Sequence, residues 1–130
     1  MKTIIVISGK HIALNEYTKS NRTNQYVGAR EKESAQELVA WVIKAARPPF
    51  ISGEVTITFD WYEPDKRHDP DNIAFFKKVI LDALVTQHVI GGDGWKYLSM
   101  PEPFRDRFFV DKKNPRIEVT IEGGGTDAGK

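Results

Sequence analysis

The spacing of apolar residues changes repeatedly along this chain, and these changes restrict the fold more than any other feature. Residues 3–7 form a β-branched run typical of a buried strand, and residues 55–61 alternate apolar and polar side chains as a half-exposed strand does. Further strands are predicted over residues 104–110 and 116–121, with a short extended piece over residues 96–100. We therefore expect a sheet with strands from both ends of the folded chain.

Between these strands, two stretches have the apolar spacing of a helix. In residues 31–46 apolar side chains recur every three or four positions, and two following prolines end the pattern because they cannot continue the backbone hydrogen bonds. A second stripe predicts a helix over residues 70–87. This order of elements predicts an α+β fold, with a single compact two-layer domain of sheet and two main helices over residues 1–122 and a flexible glycine-rich tail over residues 123–130.

Composition excludes several classes of protein. A chain of 130 residues, 40% of them hydrophobic, fits one globular domain. It has no cysteine, which excludes disulfides, a thiolate zinc site and a cysteine nucleophile. The 19 basic residues nearly balance the 18 acidic ones, so a nucleic-acid partner would have to be bound by a local basic patch. The apolar run at the start is too short for a signal peptide or a membrane span, and we expect a cytoplasmic protein without a membrane partner.

Charged residues are concentrated around the second predicted helix: Asp69, Asp71, Lys77, Lys78, Asp82 and Asp93. A continuous helix turns about 100° per residue, which places Lys78 and Asp82 on nearly the same face as Asp71. Taken singly, the aspartates suit a helix cap, a first helical turn and a glycine turn. Together with a lysine they also suit a hard cation such as Mg²⁺, which would activate water for phosphodiester hydrolysis. Both interpretations are open from these residues alone.

Three parts of this region form a motif: residues 67–72 (Arg-His-Asp-Pro-Asp-Asn), residues 81–84 (Leu-Asp-Ala-Leu) and Asp93. The motif resembles that of the RusA-like crossover-junction endodeoxyribonucleases, particularly the prophage-type members, with weaker support from residues 14–15 and 114–119. The resemblance covers most of the chain. It implies a homodimeric, Mg²⁺-dependent nuclease, with Mn²⁺ as an alternative metal, that cuts four-way DNA junctions (Holliday junctions) by paired incisions during recombination and repair.

The resemblance also implies roles for individual residues. It implies three metal-ligating aspartates: Asp69, Asp71 and Asp93. Asp71 is counted among the catalytic residues as well, together with one lysine. Lys78 matches that lysine when the motif is aligned at Asp82, and Lys77 is the alternative, because the segment between Asp71 and Asp82 is about one helical turn longer than the common pattern of the family.

An enzyme that acts on branched DNA needs contacts to phosphates, which dominate affinity. The predicted DNA-binding residues are basic and lie in the early polar segment, beside the acidic cluster and before the last strand: Lys19, Arg22, Arg30, Lys32, Arg67, Lys112, Lys113 and Arg116. Residues 15–32 lack an apolar period and are predicted to form a DNA-contacting arm. Within it, Tyr17 and Tyr26 either stack on unpaired bases or pack beneath a loop.

Two other functions are compatible with the same residues. The first is a non-catalytic nucleic-acid-binding or regulatory module that retains the fold. It is suggested by the longer segment between Asp71 and Asp82, and by Gly92, which stands where many relatives have a second acidic residue. The second is a structural protein in which the aspartates are only caps and turns.

Overall fold

The structure is a computed structural model that describes residues 2–8, 25–67, 69–74 and 76–123, without the side chains of residues 25–34, 72 and 73. Its strands are β1 (Lys2–Ser8), β2 (Val55–Glu63), β3 (Phe104–Val110) and β4 (Arg116–Gly123). The helices of this described part are α1 (Gln25–Ala46), α2 (Pro70–Ala74) and α3 (Lys77–Thr86), followed by a 3₁₀ turn (Trp95–Tyr97).

The four strands form one mixed sheet in the order β1-β4-β2-β3. Strand β4 runs antiparallel to both β1 and β2, whereas β2 and β3 are parallel. Because parallel neighbours need a crossover connection, residues 64–103 leave the sheet and return to it, and they include α2 and α3. The predicted α+β fold is confirmed, and each of the four predicted strands is present.

One face of the sheet and the inward sides of the helices form the core. The sheet contributes alternate residues of β1, β2 and β4, including Ile7, Phe59 and Val119, which are fully or almost fully buried. Val39 of α1 and Leu84 of α3 are equally buried in the same cluster. The helical layer therefore covers one face of the sheet.

The prediction that β2 is half exposed was wrong. Thr58 and Asp60, on the face opposite the core, are only 8% and 4% exposed. The reason is that β2 is a central strand with β3 and β4 on its two sides. Asp60 also accepts two hydrogen bonds from the Arg107 guanidinium of β3, at 2.6 and 2.9 Å.

Helix α1 begins at Gln25, six positions before the predicted start at Glu31. Residues 25–32 of the predicted arm are therefore helical, and their contact with DNA stays a prediction. Good helix-forming residues such as alanine, arginine, glutamate and lysine extend a helix without an apolar stripe, which explains the difference. Residues 15–24 of that arm lie outside the described residues. At its other end α1 stops at Ala46, before the two prolines, as predicted.

The single helix predicted over residues 70–87 is instead two helices: α2 ends at Ala74 and α3 begins at Lys77. Phe76 is buried in the core, and its carbonyl accepts hydrogen bonds from Val79 and Ile80 as α3 begins. The prediction that Asp71 and Lys78 share a helix face assumed one continuous helix, so the two separate helices remove its basis and it stays a prediction. Lys78 and Asp82 both lie in α3 and do share a face.

The prediction that β1 is a buried strand was wrong for one of its faces: Ile4 and Val6 are 56% and 49% exposed, because the helical layer covers only the other face of the sheet.

The remaining differences concern short segments. Residues 95–97 form a 3₁₀ turn where an extended piece was predicted over residues 96–100, although Leu98 makes a parallel bridge to Val55. Strand β4 extends to Gly123, one residue into the predicted tail, and residues 124–130 lie outside the described residues.

Within the described part of the chain, the structure contains no helix with the length and apolar content that crossing a membrane requires.

Candidate active site

The Lys78 ammonium connects two carboxylates from different parts of the chain. Its Nζ lies 2.9 Å from Asp93 Oδ2 and 3.0 Å from Asp82 Oδ1, the latter one helical turn along α3. The hydrogen bond to Asp93 is the largest cause that raises the pKa of Lys78. The same bond lowers the pKa of Asp93 against a smaller opposing effect of burial. Both charged forms are therefore favoured, but the Lys78 side chain is 61% exposed and solvent screens the pair.

The loop that carries Asp93 is held by one aromatic ring. The Tyr97 ring lies so close to Gly91 and Gly92 that a Cβ at these positions would be 2.7 and 2.6 Å from its carbon atoms. The Tyr97 N–H also donates to the Gly94 carbonyl at 3.0 Å. Glycine is thus required for the approach of the ring, and the packed ring gives Asp93 a defined position in front of α3.

Replacing Gly92 with alanine is expected to destabilise this loop. The new Cβ would overlap the Tyr97 ring, and overpacking of this kind costs about 1 to 2 kcal/mol. Gly94 is a matched control, because a Cβ there has no neighbour within 4 Å and its φ of −87° suits any residue. Urea unfolding should give a lower midpoint for Gly92→Ala and an unchanged or slightly higher one for Gly94→Ala. Equal midpoints for the two variants would contradict the packing argument.

Asp69 and Asp71 lie at the start of the other short helix. Asp69 directly precedes α2, Asp71 is in its first turn, and both residues are exposed. Among the described residues there is no group of three or more histidine, aspartate or glutamate side chains that could hold a metal ion. The structure thus brings Asp93 together with Lys78 and Asp82, but it does not assemble the three predicted ligands. The assignment of Asp69, Asp71 and Asp93 as metal ligands stays a prediction.

Lys77, the residue before Lys78, contacts a different carboxylate. Its Nζ lies 2.6 Å from Asp106 Oδ2 on β3. The same atom lies 5.5 Å from the centroid of the Phe59 ring and 5.4 Å from the centroid of the Phe104 ring. The other carboxylate oxygen, Asp106 Oδ1, accepts a hydrogen bond from Trp61 Nε1 at 3.0 Å. Lys77 therefore joins the start of α3 to the edge of the sheet and does not contact Asp93.

Asp106, which binds both Lys77 and Trp61, was not among the predicted site residues. It lies between Phe104 and Phe108 on the face of β3 that is turned toward the core, and Phe108 stacks on Trp61. An acidic residue at a core-facing position of an alternating strand requires a partner, because an unpaired carboxylate is costly to bury. The sequence therefore indicated that Asp106 needs a partner, but it did not indicate which residue the partner is.

The predicted DNA-binding residues differ in their surroundings. Arg67, Lys112 and Lys113 are exposed, and Arg67 is 3.7 Å from Asp65. The Arg116 guanidinium instead donates to Glu118 and Asp111, at 2.6 and 2.8 Å, and lies 3.7 Å from the Tyr62 ring centroid.

The structure does not describe the side chains of the other four predicted DNA-binding residues. Lys19 and Arg22 lie outside the described residues. Arg30 and Lys32 are in α1, at positions whose side chains the structure does not describe. The DNA-binding assignment stays a prediction for the whole set.

Comparison with known proteins defines the class. A model of a family of endodeoxyribonucleases, hydrolases that cut within DNA strands, matches residues 12–122, which is most of the chain. The chain belongs to this family, described as endodeoxyribonuclease RusA, and the resemblance inferred from the motif is confirmed. No match was found among curated proteins.

Proposed function

We propose that this chain is a metal-dependent, structure-selective endonuclease that hydrolyses phosphodiester bonds in four-way DNA junctions during recombination and repair. The observation that carries the proposal is the contact between Lys78 and Asp93. These residues are 15 positions apart, and the family motif implies a catalytic role for Lys78, with Lys77 as the alternative, and a metal-ligating role for Asp93. Family membership supports the hydrolysis of DNA, and the paired residues support a reaction at this site.

Mg²⁺ is the metal that the donor chemistry favours, with Mn²⁺ as the alternative. Asp69, Asp71 and Asp93 would hold it, since carboxylate oxygens are the ligands that Mg²⁺ prefers. Asp93 supports the fit of these residues to a metal ion, because its carboxylate already accepts a hydrogen bond from a cation, the Lys78 ammonium. When bound, such a metal supplies an activated water and offsets charge on the scissile phosphate.

The side chains of α3 supply the rest of the chemistry. The Lys78 ammonium stabilises the negative charge that develops on the phosphate oxygens, as fixed cations do in phosphoryl transfer. Asp82, one turn along the helix, also binds the Lys78 ammonium, at 3.0 Å, so Lys78 would keep one carboxylate partner if Asp93 held a metal.

Binding of the substrate is expected to be electrostatic and independent of sequence. Arg67, Lys112 and Lys113 are exposed cations that are available for phosphates. A four-way junction is two-fold symmetric, so a homodimer with two equivalent sites matches it and explains paired incisions. We expect the dimer to act in the cytoplasm.

The test is cleavage of synthetic four-way junctions by the wild type and by Asp71→Asn, with Mg²⁺ or with a chelator. Continuous duplexes of the same sequence serve as the control for structure selectivity. The proposal expects cleavage of junctions that requires the metal and is lost in Asp71→Asn, while junction binding and the circular dichroism spectrum persist.

The alternative is the non-catalytic DNA-binding module. It is favoured by the lack, among the described side chains, of a ready-formed group of three metal ligands. Binding of junctions without cleavage in any metal would establish the module and contradict the enzyme. Neither binding nor cleavage would contradict both.

A further inference from the structure

Trp95 leaves a large apolar surface in water next to the candidate active site. It is 81% exposed, the highest value among the exposed large hydrophobic side chains of the described residues. It lies only two positions after Asp93, in the 3₁₀ turn. Its indole contributes nothing to the core, so stability of the fold does not explain it.

The backbone around Trp95 is nevertheless fixed. On one side, Asp93 is bonded to Lys78, and the glycines before it pack against the Tyr97 ring. On the other side, Leu98 is buried and bridges to Val55 of β2. Trp95 thus projects from a loop that is anchored at both ends, and its exposure is not that of a loose chain terminus.

The residue that follows Trp95 is a lysine. Lys96 is exposed, and its Nζ lies 5.0 Å from the centroid of the Tyr97 ring, which keeps the ammonium beside the loop. An exposed aromatic ring next to a cation is the combination with which proteins bind single-stranded nucleic acid, since the ring stacks on bases and the cation contacts the backbone.

We propose that Trp95 stacks on an unpaired base of the bound DNA beside the scissile phosphate, and that Lys96 contacts the adjacent backbone. This inference rests on the proposed nuclease function, because it requires DNA at Asp93. Stacking on an indole is possible for every base, but only where the base is not enclosed in a continuous duplex. Trp95 would therefore contribute to the preference for branched over linear DNA.

The experiment compares Trp95→Ala, Trp95→Phe and the wild type in binding to a four-way junction and to a continuous duplex, in chelator so that no cleavage occurs. We expect Trp95→Ala to bind the junction about tenfold more weakly, within the range measured for loss of one base-stacking ring. Trp95→Phe should retain most of the affinity, and duplex binding should hardly change. Trp41→Ala is the matched control, because Trp41 is a tryptophan that is 63% exposed on another element, α1, and its loss should leave junction binding unchanged.

A second measurement observes the stack directly. In a Trp41→Phe background the exposed indole is that of Trp95, since Trp61 is buried, and its fluorescence should be quenched by the junction more than by the duplex. Equal junction affinities of wild type and Trp95→Ala would overturn the inference and leave the proposed function standing. A change of oligomeric state in Trp95→Ala, seen by analytical ultracentrifugation, would also overturn it and make Trp95 a subunit contact. A wild type that binds no junction would overturn the inference together with the proposed function.

Discussion

Replacing Lys78 with methionine is expected to slow metal-dependent junction cleavage by roughly two to three orders of magnitude, the usual effect of removing one fixed group that stabilises transition-state charge. Stability should change by less than about 1 kcal/mol, because the Lys78 side chain is 61% exposed and its ion pairs are screened by water. Single-turnover cleavage under saturating enzyme isolates the chemical step, and urea unfolding measures the stability of the same preparation.

Lys77→Met is the matched control for this variant, since it removes the same group from the adjacent residue. The Lys77 ammonium contacts Asp106 and two aromatic rings, so its loss should lower stability and leave the cleavage rate of folded enzyme within a few-fold of wild type. The reverse pattern, with cleavage lost in Lys77→Met and retained in Lys78→Met, would transfer the catalytic role to Lys77 and refute the assignment.

The second large effect concerns stability. Asp106→Ala is expected to lower the free energy of unfolding by about 3 kcal/mol, because it leaves two donors, Lys77 Nζ and Trp61 Nε1, without their acceptor. The Lys77 and Asp106 side chains are 23% and 24% exposed, so water compensates for the loss only in part. Chemical denaturation gives the value directly.

A double-mutant cycle distinguishes this contact from general loss of packing. The Lys77→Met and Asp106→Ala double variant should cost clearly less than the sum of the two single variants, because removing both partners leaves no uncompensated charge. Asp65→Ala is the control, since the contacts of Asp65 with Arg67, an ion pair at 3.7 Å and a backbone hydrogen bond at 2.9 Å, are exposed, and its effect on stability should be far smaller than that of Asp106→Ala. Additive effects of the two single substitutions would show that Lys77 and Asp106 do not stabilise one another.

Much of the fold was predictable because the strands and helices differ in the spacing of their apolar residues. The helix break was not, because the apolar residues keep a helical spacing across residues 73–81. Where α3 begins, Phe76 is buried in the core and Lys77 contacts β3, and neither contact is local in sequence. Local periodicity therefore predicts that a helix exists more reliably than it predicts its continuity.

The candidate site, like the fold, was predictable only in part. The pair of Lys78 and Asp82 follows from their separation of four residues within a helix. The choice between Lys77 and Lys78 does not, because adjacent helical residues point about 100° apart and either could face the carboxylates. Lys77 instead contacts Asp106, which is 29 positions away and is placed by the pairing of β3 with β2, so the direction of Lys77 depends on a contact that is not local in sequence.

The position of β2 in the sheet has a consequence for synthesis of the protein. Its two neighbours, β3 and β4, both follow the candidate site in the chain, so the sheet cannot close around β2 until residue 123 has left the ribosome. A nascent chain that ends at residue 100 already carries every proposed catalytic and metal-binding residue, but neither strand that supports them. We therefore expect a chain that ends before β3 and β4 to lack the proposed nuclease activity.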